Sequence, residues 1–171
     1  MKKRATKRWL RKYDGKKYGW FLLARDSALM LILAALLFSL LVGVSRVNGT
    51  SMLPTLENGR IVFFLRAGSS YDRGDVVFAK MPSGSFYVKR VLAVEGDVVD
   101  IRDGCLYING VREAGDYWQG QTLPQEGIVE YPLTLGEGMY FLVGDNREGS
   151  IDSRSFGPLP AASIRGKLLF V

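Results

Sequence analysis

Residues Ser27 to Ser45 read SALMLILAALLFSLLVGVS, nineteen positions without a charge. As a helix this run approaches the ~30 Å hydrocarbon thickness of a bilayer, enough to cross it once. Of the chain's 23 Lys and Arg and 17 Asp and Glu, ten basic residues (Lys2, Lys3, Arg4, Lys7, Arg8, Arg11, Lys12, Lys16, Lys17 and Arg25) and two acids (Asp14 and Asp26) lie ahead of it. That segment carries +8, and the 13 basic and 15 acidic residues from Arg46 onward carry −2. A nucleic-acid binder needs positive charge on a folded face, whereas a basic flank beside an apolar run is the positive-inside signal. The expected organisation is a basic cytoplasmic tail (1–26), a transmembrane anchor helix (27–45) and an extracytoplasmic domain (46–171). Trp9, Trp20 and Phe21 fit an aromatic belt, the basic residues suit anionic lipid, and no nucleic-acid partner is implied. The rival reading is a cleaved secretory signal, with Gly43-Val44-Ser45 as a small-x-small site; the length of the run and of its basic flank favour an anchor.

The outer segment, about 126 residues, is enough for one compact domain with a single core. Strand signals recur at Arg60 to Leu65, Val76 to Ala79, Phe86 to Val94, Val98 to Arg102, Cys105 to Ile108, Met139 to Val143 and Arg165 to Val171. Asp103-Gly104 and Asn109-Gly110 are hairpin turn pairs, and Gly, Gln and Pro gather in a loop-rich insertion near Gly115 to Pro132. The expected fold is mainly antiparallel β. Cys105 is the single cysteine, so no intramolecular disulfide forms, and its strand-like setting suggests burial, not reactivity.

Three segments of this β domain carry chemistry. The first is Asn48-Gly49-Thr50-Ser51-Met52-Leu53-Pro54-Thr55-Leu56, six residues past the apolar run at Ser51 and so within about 20 Å of its end. Gly49 allows close backbone approach and Pro54 restricts the chain, which gives Ser51 a fixed mount; the alternative is that Ser51 caps a short helical turn. The second is the strand Phe86 to Val94, whose alternation puts Tyr87, Lys89, Val91 and Ala93 on one face and Val88, Arg90 and Leu92 on the other. A lysine among apolar neighbours is a candidate for burial, which lowers its pKa; an ordinary solvated lysine is the other reading. The chain contains no histidine, so a hydrolase built on Ser51 would use a base other than imidazole. The third, Gly144 to Gly157 (GDNREGSIDSRSFG), packs hydroxyls, acids and arginines into a loop suited to charge-assisted hydrogen bonds.

Gly49 to Leu56, Tyr87 to Val98 including Gly96-Asp97, and Gly144 to Gly157, taken in this order, resemble the type I signal peptidases. These are membrane-bound serine proteases that remove signal peptides from exported proteins, with a β fold shared with LexA-like self-cleaving repressors. The resemblance implies Ser51 as nucleophile and Lys89 as general base, the Ser-Lys variant of the nucleophile and base pair. It implies that Ser150 orients the lysine amine, that Asp152 and Arg154 form a stiffening ion pair, and that Arg90 and Asp145 have supporting roles. Where Gram-negative members carry an oxyanion-binding serine, this chain has Gly49, which leaves the Ser51 backbone amide and an unidentified second donor. Its brevity, single span and lack of a disulfide pair resemble the Gram-positive branch.

By the same resemblance an extended peptide docks beside Phe86, Tyr87, Val88 and Met52, along the approach segment Arg46 to Gly49, and is cut after a small-x-small triplet. The implied partners are signal peptides of exported preproteins, the lipid bilayer of a bacterial cell membrane, and secretion machinery. Phe63, Phe64 and Leu65 form an apolar cluster facing either the interface or the core. No metal or organic cofactor is expected. Two other classes compete: a self-cleaving repressor, which would carry a DNA-binding part where this chain has its apolar run, and a non-enzymatic anchored β module, which gives Lys89 no role.

Overall fold

The computed structural model describes residues 2–66, 68 and 70–170, with side chains from Tyr18 onward. The chain divides into two units, a helical one up to Leu40 and a β-rich one from Leu41.

The first unit is the helix α1, Lys2–Leu41. It runs through the basic segment without a break, and its Tyr18–Leu41 stretch, 24 residues with none buried, is long and apolar enough to cross a membrane. Trp20 and Phe21 are exposed; the Trp9 side chain lies outside the described residues. The expected anchor of 27–45 is corrected at its end, because Val42–Arg46 is a strand, β1. Hydropathy alone does not mark this boundary, since a buried strand and a membrane helix are both apolar. What ends the helix is the Val42-Gly43-Val44 sequence, with two β-branched residues around a glycine. Gly43 sits under the Phe64 ring, where a Cβ would overlap it.

The strands of the second unit continue as β2 (Ile61–Leu65), β3 (Val76–Lys80), β4 (Phe86–Ala93), β5 (Val98–Arg102), β6 (Cys105–Ile108), β7 (Val111–Arg112), β8 (Leu133–Thr134), β9 (Met139–Val143), β10 (Leu159–Pro160) and β11 (Ile164–Leu168). A one-turn helix, α2, spans Ser153–Phe156. Seven strands form one sheet in the order β1-β2-β11-β3-β4-β9-β10, and four form a second in the order β7-β6-β5-β8. The strand pairs are antiparallel, so the expected mainly antiparallel β fold holds. Both hairpin turns form at the expected positions: Asp103 (φ 53°) with Gly104 (φ 70°), and Asn109 (φ 53°) with Gly110 (φ 79°), take the left-handed backbone that such two-residue turns demand. The last strand begins one residue earlier than expected and ends at Leu168, while Val171 lies outside the described residues.

The β4 alternation holds only as far as Val91. A register shift against β9 between Val91 and Ala93 is a bulge that turns Ala93 away from the Val91 side. Val91 packs with Val77, Ala79 and Leu142, whereas Ala93 joins Leu92, Val99, Leu106 and Phe141. Among the described residues the single core anticipated from size is thus three apolar clusters, and the third, with Val47, Met52, Leu56, Phe64 and Val88, underlies the segment carrying Ser51. Of the apolar trio on β2, Phe64 is buried in that cluster and Phe63 is exposed.

Candidate active site

Ser51 lies in a turn between β1 and β2, and the turn is anchored by the residues just after the serine. Met52 and Leu56 are buried, and the amides of Leu53 and Leu56 donate to the carbonyls of Thr50 (3.1 Å) and Met52 (2.8 Å). Gly49 takes a φ of +98°, open to glycine and strained for other residues, and its amide donates to Asn58 Oδ1 at 2.9 Å. The Gly49 N–H thus already has an acceptor. Among the described residues the Ser51 amide has none, and it remains the backbone donor at the site.

Lys89 reaches the same point from β4, opposite Val77 of β3. Its side chain is 2 % exposed, and Nζ donates to Ser51 Oγ at 2.7 Å. Burial pushes the ammonium pKa down to about 8, against the pull of the Asp152 carboxylate, which favours the charge, and with some help from Arg154. Both competing readings of these residues therefore fail: the Ser51 hydroxyl pairs with a side-chain amine and not with a helix amide, and the lysine is not solvated. A hydroxyl bonded to a buried amine whose pKa is lowered is the arrangement that nucleophile-and-base chemistry requires.

The loop after β9 closes on this pair. The Asn146 amide donates to the Ser51 carbonyl (3.0 Å) and its side-chain nitrogen to the Thr50 carbonyl (3.1 Å). At Gly144 a Cβ would overlap both the Ser51 carbonyl and Ser150 Oγ, so only glycine lets the loop approach. Asp152 and Arg154 form a fully buried ion pair (2.8 Å); Asp152 also accepts from the Gly144 amide (3.0 Å), and Arg154 donates to the carbonyl of Arg147 (2.6 Å). Arg90, on the other face of β4 from Lys89, holds Asp145 through two hydrogen bonds of 2.8 and 2.7 Å. The loop is thereby tied to the strand that carries Lys89.

Ser150 is buried next to Gly144, but among the described residues its hydroxyl has no hydrogen-bond partner, Lys89 Nζ included. The orienting contact implied by the resemblance is not made in this structure.

Phe86, Tyr87, Val88 and Met52 line one groove together with Ser51 and the segment Ser45 to Asn48, a cavity of about 300 Å³. Phe86 stacks on Phe78 (5.3 Å between centroids), which stacks on Phe64 (4.6 Å), so Phe86 and Phe78 give the groove an aromatic floor.

Several residues at the site were not foreseen. Glu113 pairs with Arg147 through two contacts of 2.6 Å, and both are buried in side chain. Thr55 donates to Asp145 at 2.5 Å, and Asn58 fixes Gly49. Glu113 stands in a stretch of ordinary surface composition, so its sequence carried no signal; Thr55 lies within the first motif and could have been read as a partner for a buried acid.

The model for the family described as signal peptidase, peptidase S26, matches residues 20–171. Signal peptidase I of Bacillus licheniformis is 33 % identical over 171 residues, covering 94 % of this chain and 92 % of that protein. Signal peptidase IB of Staphylococcus aureus is 33 % identical over 141 residues, 72 % of this chain and 74 % of the relative. The crystal structure of a signal peptidase I from Enterococcus faecalis superposes with a TM-score of 0.50 at 32 % identity, covering 60 % of this chain and 99 % of the other.

Proposed function

The chain belongs to the signal peptidase family, peptidase S26, whose members are serine peptidases that remove signal peptides, and from that premise we propose that it does so with a Ser51–Lys89 dyad. The observation that carries this reading is the 2.7 Å contact between a 2 % exposed lysine amine and a serine hydroxyl in a chain without histidine.

The neutral Lys89 amine takes the Ser51 proton as Oγ attacks the scissile carbonyl, and the oxyanion is met by the Ser51 amide. Lys89 then protonates the departing amine. The resulting ester is resolved by water, which Lys89 activates in turn. Asp145, Arg90, Asp152 and Arg154 keep the loop closed on the nucleophile and move no protons. Ser150, with a hydroxyl that lacks another partner, supplies an orienting hydrogen bond to the amine once substrate is bound.

Substrate lies extended in the groove of Met52, Phe86, Tyr87 and Val88, and the aromatic floor restricts the first and third residues before the cut to small side chains. The apolar part of α1 anchors the enzyme in a bacterial cell membrane, with residues 1–26 cytoplasmic and the β domain outside, in contact with lipid and with the machinery that delivers preproteins. The decisive experiment uses full-length protein in detergent and a preprotein with a small-x-small triplet. Cleavage after the triplet by the wild type, abolished in Lys89→Ala, is expected; near-normal cleavage by that variant rules out the assigned base.

A further inference from the structure

A second cleft of about 300 Å³ also borders Ser51. Asn48, Ser51 and Tyr87 border both cavities, but Lys89, Gly149 and Ile151 border only this one. Lys89 faces one side of the nucleophile, and that asymmetry gives the two cavities a direction.

We propose that this cleft receives the first residue of the released chain, and that Ile151 makes the site select an apolar side chain there. The inference rests on the dyad reading. As the Oγ–carbon bond forms and the carbon–nitrogen bond breaks, the proton taken from Ser51 by Lys89 must pass to the departing nitrogen. The departing residue therefore lies on the side where the amine stands, and the residues before the cut occupy the other groove.

Ile151 has the placement of a selecting residue. It is 67 % exposed, while its neighbours Ser150 and Asp152 are buried at 3 % and 0 %. The buried neighbours pin the loop and hold the isoleucine out at the cleft's edge. Its position relative to Ser51 is fixed through Asn146, whose amide bonds the Ser51 carbonyl and whose side chain lies against Gly149. Among the described residues no charged side chain other than Lys89 borders the cleft, so an acidic or basic first residue finds no partner there besides the amine that must stay neutral.

The test uses a peptide series with a constant small-x-small triplet and Ala, Leu, Asp or Lys as the first residue after the cut, given to the wild type, Ile151→Val, Ile151→Ser and Ile151→Lys. The wild type should prefer Leu over Asp by roughly tenfold in kcat/KM, the range that one apolar contact gives. Ile151→Val should keep that order, Ile151→Ser should compress it to about twofold, and Ile151→Lys should invert it in favour of Asp. In a companion series varied before the cut, all four enzymes should rank peptides alike. An unchanged ranking after the cut in all four overturns the assignment while leaving the dyad standing. If the wild type cleaves no peptide or preprotein, the reading of the site falls first.

Discussion

Lys89 and Arg90, neighbours on β4, are buried on opposite faces and have their proton affinities moved in opposite directions. Burial brings the Lys89 ammonium down to about 8. At Arg90 burial also opposes the charge, but the hydrogen bonds and charge of Asp145 overcome it and hold the guanidinium above its usual range. One strand thus presents a base on one side and a permanent cation on the other.

The first prediction concerns pH. If the working form of Lys89 is the neutral amine, kcat/KM rises with pH through about 8 as a single ionisation and then levels. The same shift affects stability. Between about 8 and the ordinary 10.5 the unfolded chain binds a proton that the folded chain has lost, so stability rises with pH across that window. Urea unfolding of the wild type and Lys89→Met at several pH values should show this rise in the wild type alone. A profile of kcat/KM that is flat from pH 6 to 10 would count against the amine as base.

In the proposed mechanism Ser51 and Lys89 act as a unit, so their losses should not add. Ser51→Ala and Lys89→Ala should each lower kcat by at least about a thousandfold, and the double variant should be no slower than either. Single-turnover assays measure this; additive losses would mean that the two side chains work in separate steps.

Ser150→Ala should separate activity from stability. Deleting a buried hydroxyl that has no partner costs nothing in the folded state and can stabilise it. If the hydroxyl steadies the amine in the substrate complex, kcat falls about ten- to a hundredfold with KM little changed, and the pH midpoint of kcat moves. Unaltered kcat and midpoint would remove Ser150 from the mechanism.

Arg90→Ala should be costly through the acid left behind. Asp145 is fully buried, and without Arg90 its charge keeps the Thr55 hydroxyl as its side-chain partner. Breaking such a pair costs on the order of 3–5 kcal/mol, whereas Arg90→Met with Asp145→Leu should recover much of it. Denaturant midpoints of the two variants test this, and equal losses would argue against a buried charge as the cause.

How much the sequence disclosed depends on the range of the forces involved. Strand period and the Asp103-Gly104 and Asn109-Gly110 turns are local, and they are legible in the residues themselves. Asp152 and Arg154 are two residues apart, so their pairing was within reach. Glu113 and Arg147, 34 residues apart, meet only through the tertiary fold. The bulge at Val91/Ala93 has no signature of its own, because alanine and leucine suit either face. At Val42 the apolar signal continued while the backbone changed from helix to strand, and composition cannot register such a change.

That strand has a bearing on the enzyme's own survival. Gly43-Val44-Ser45 has the small-x-small form that the enzyme would cut in others, yet all three residues are paired with β2, and Gly43 is covered by the Phe64 ring. By the proposed docking a peptide enters the groove single and extended. Immunity to self-digestion would then be acquired during folding, when β1 joins the sheet, and a newly made chain would be safe only after that pairing had formed.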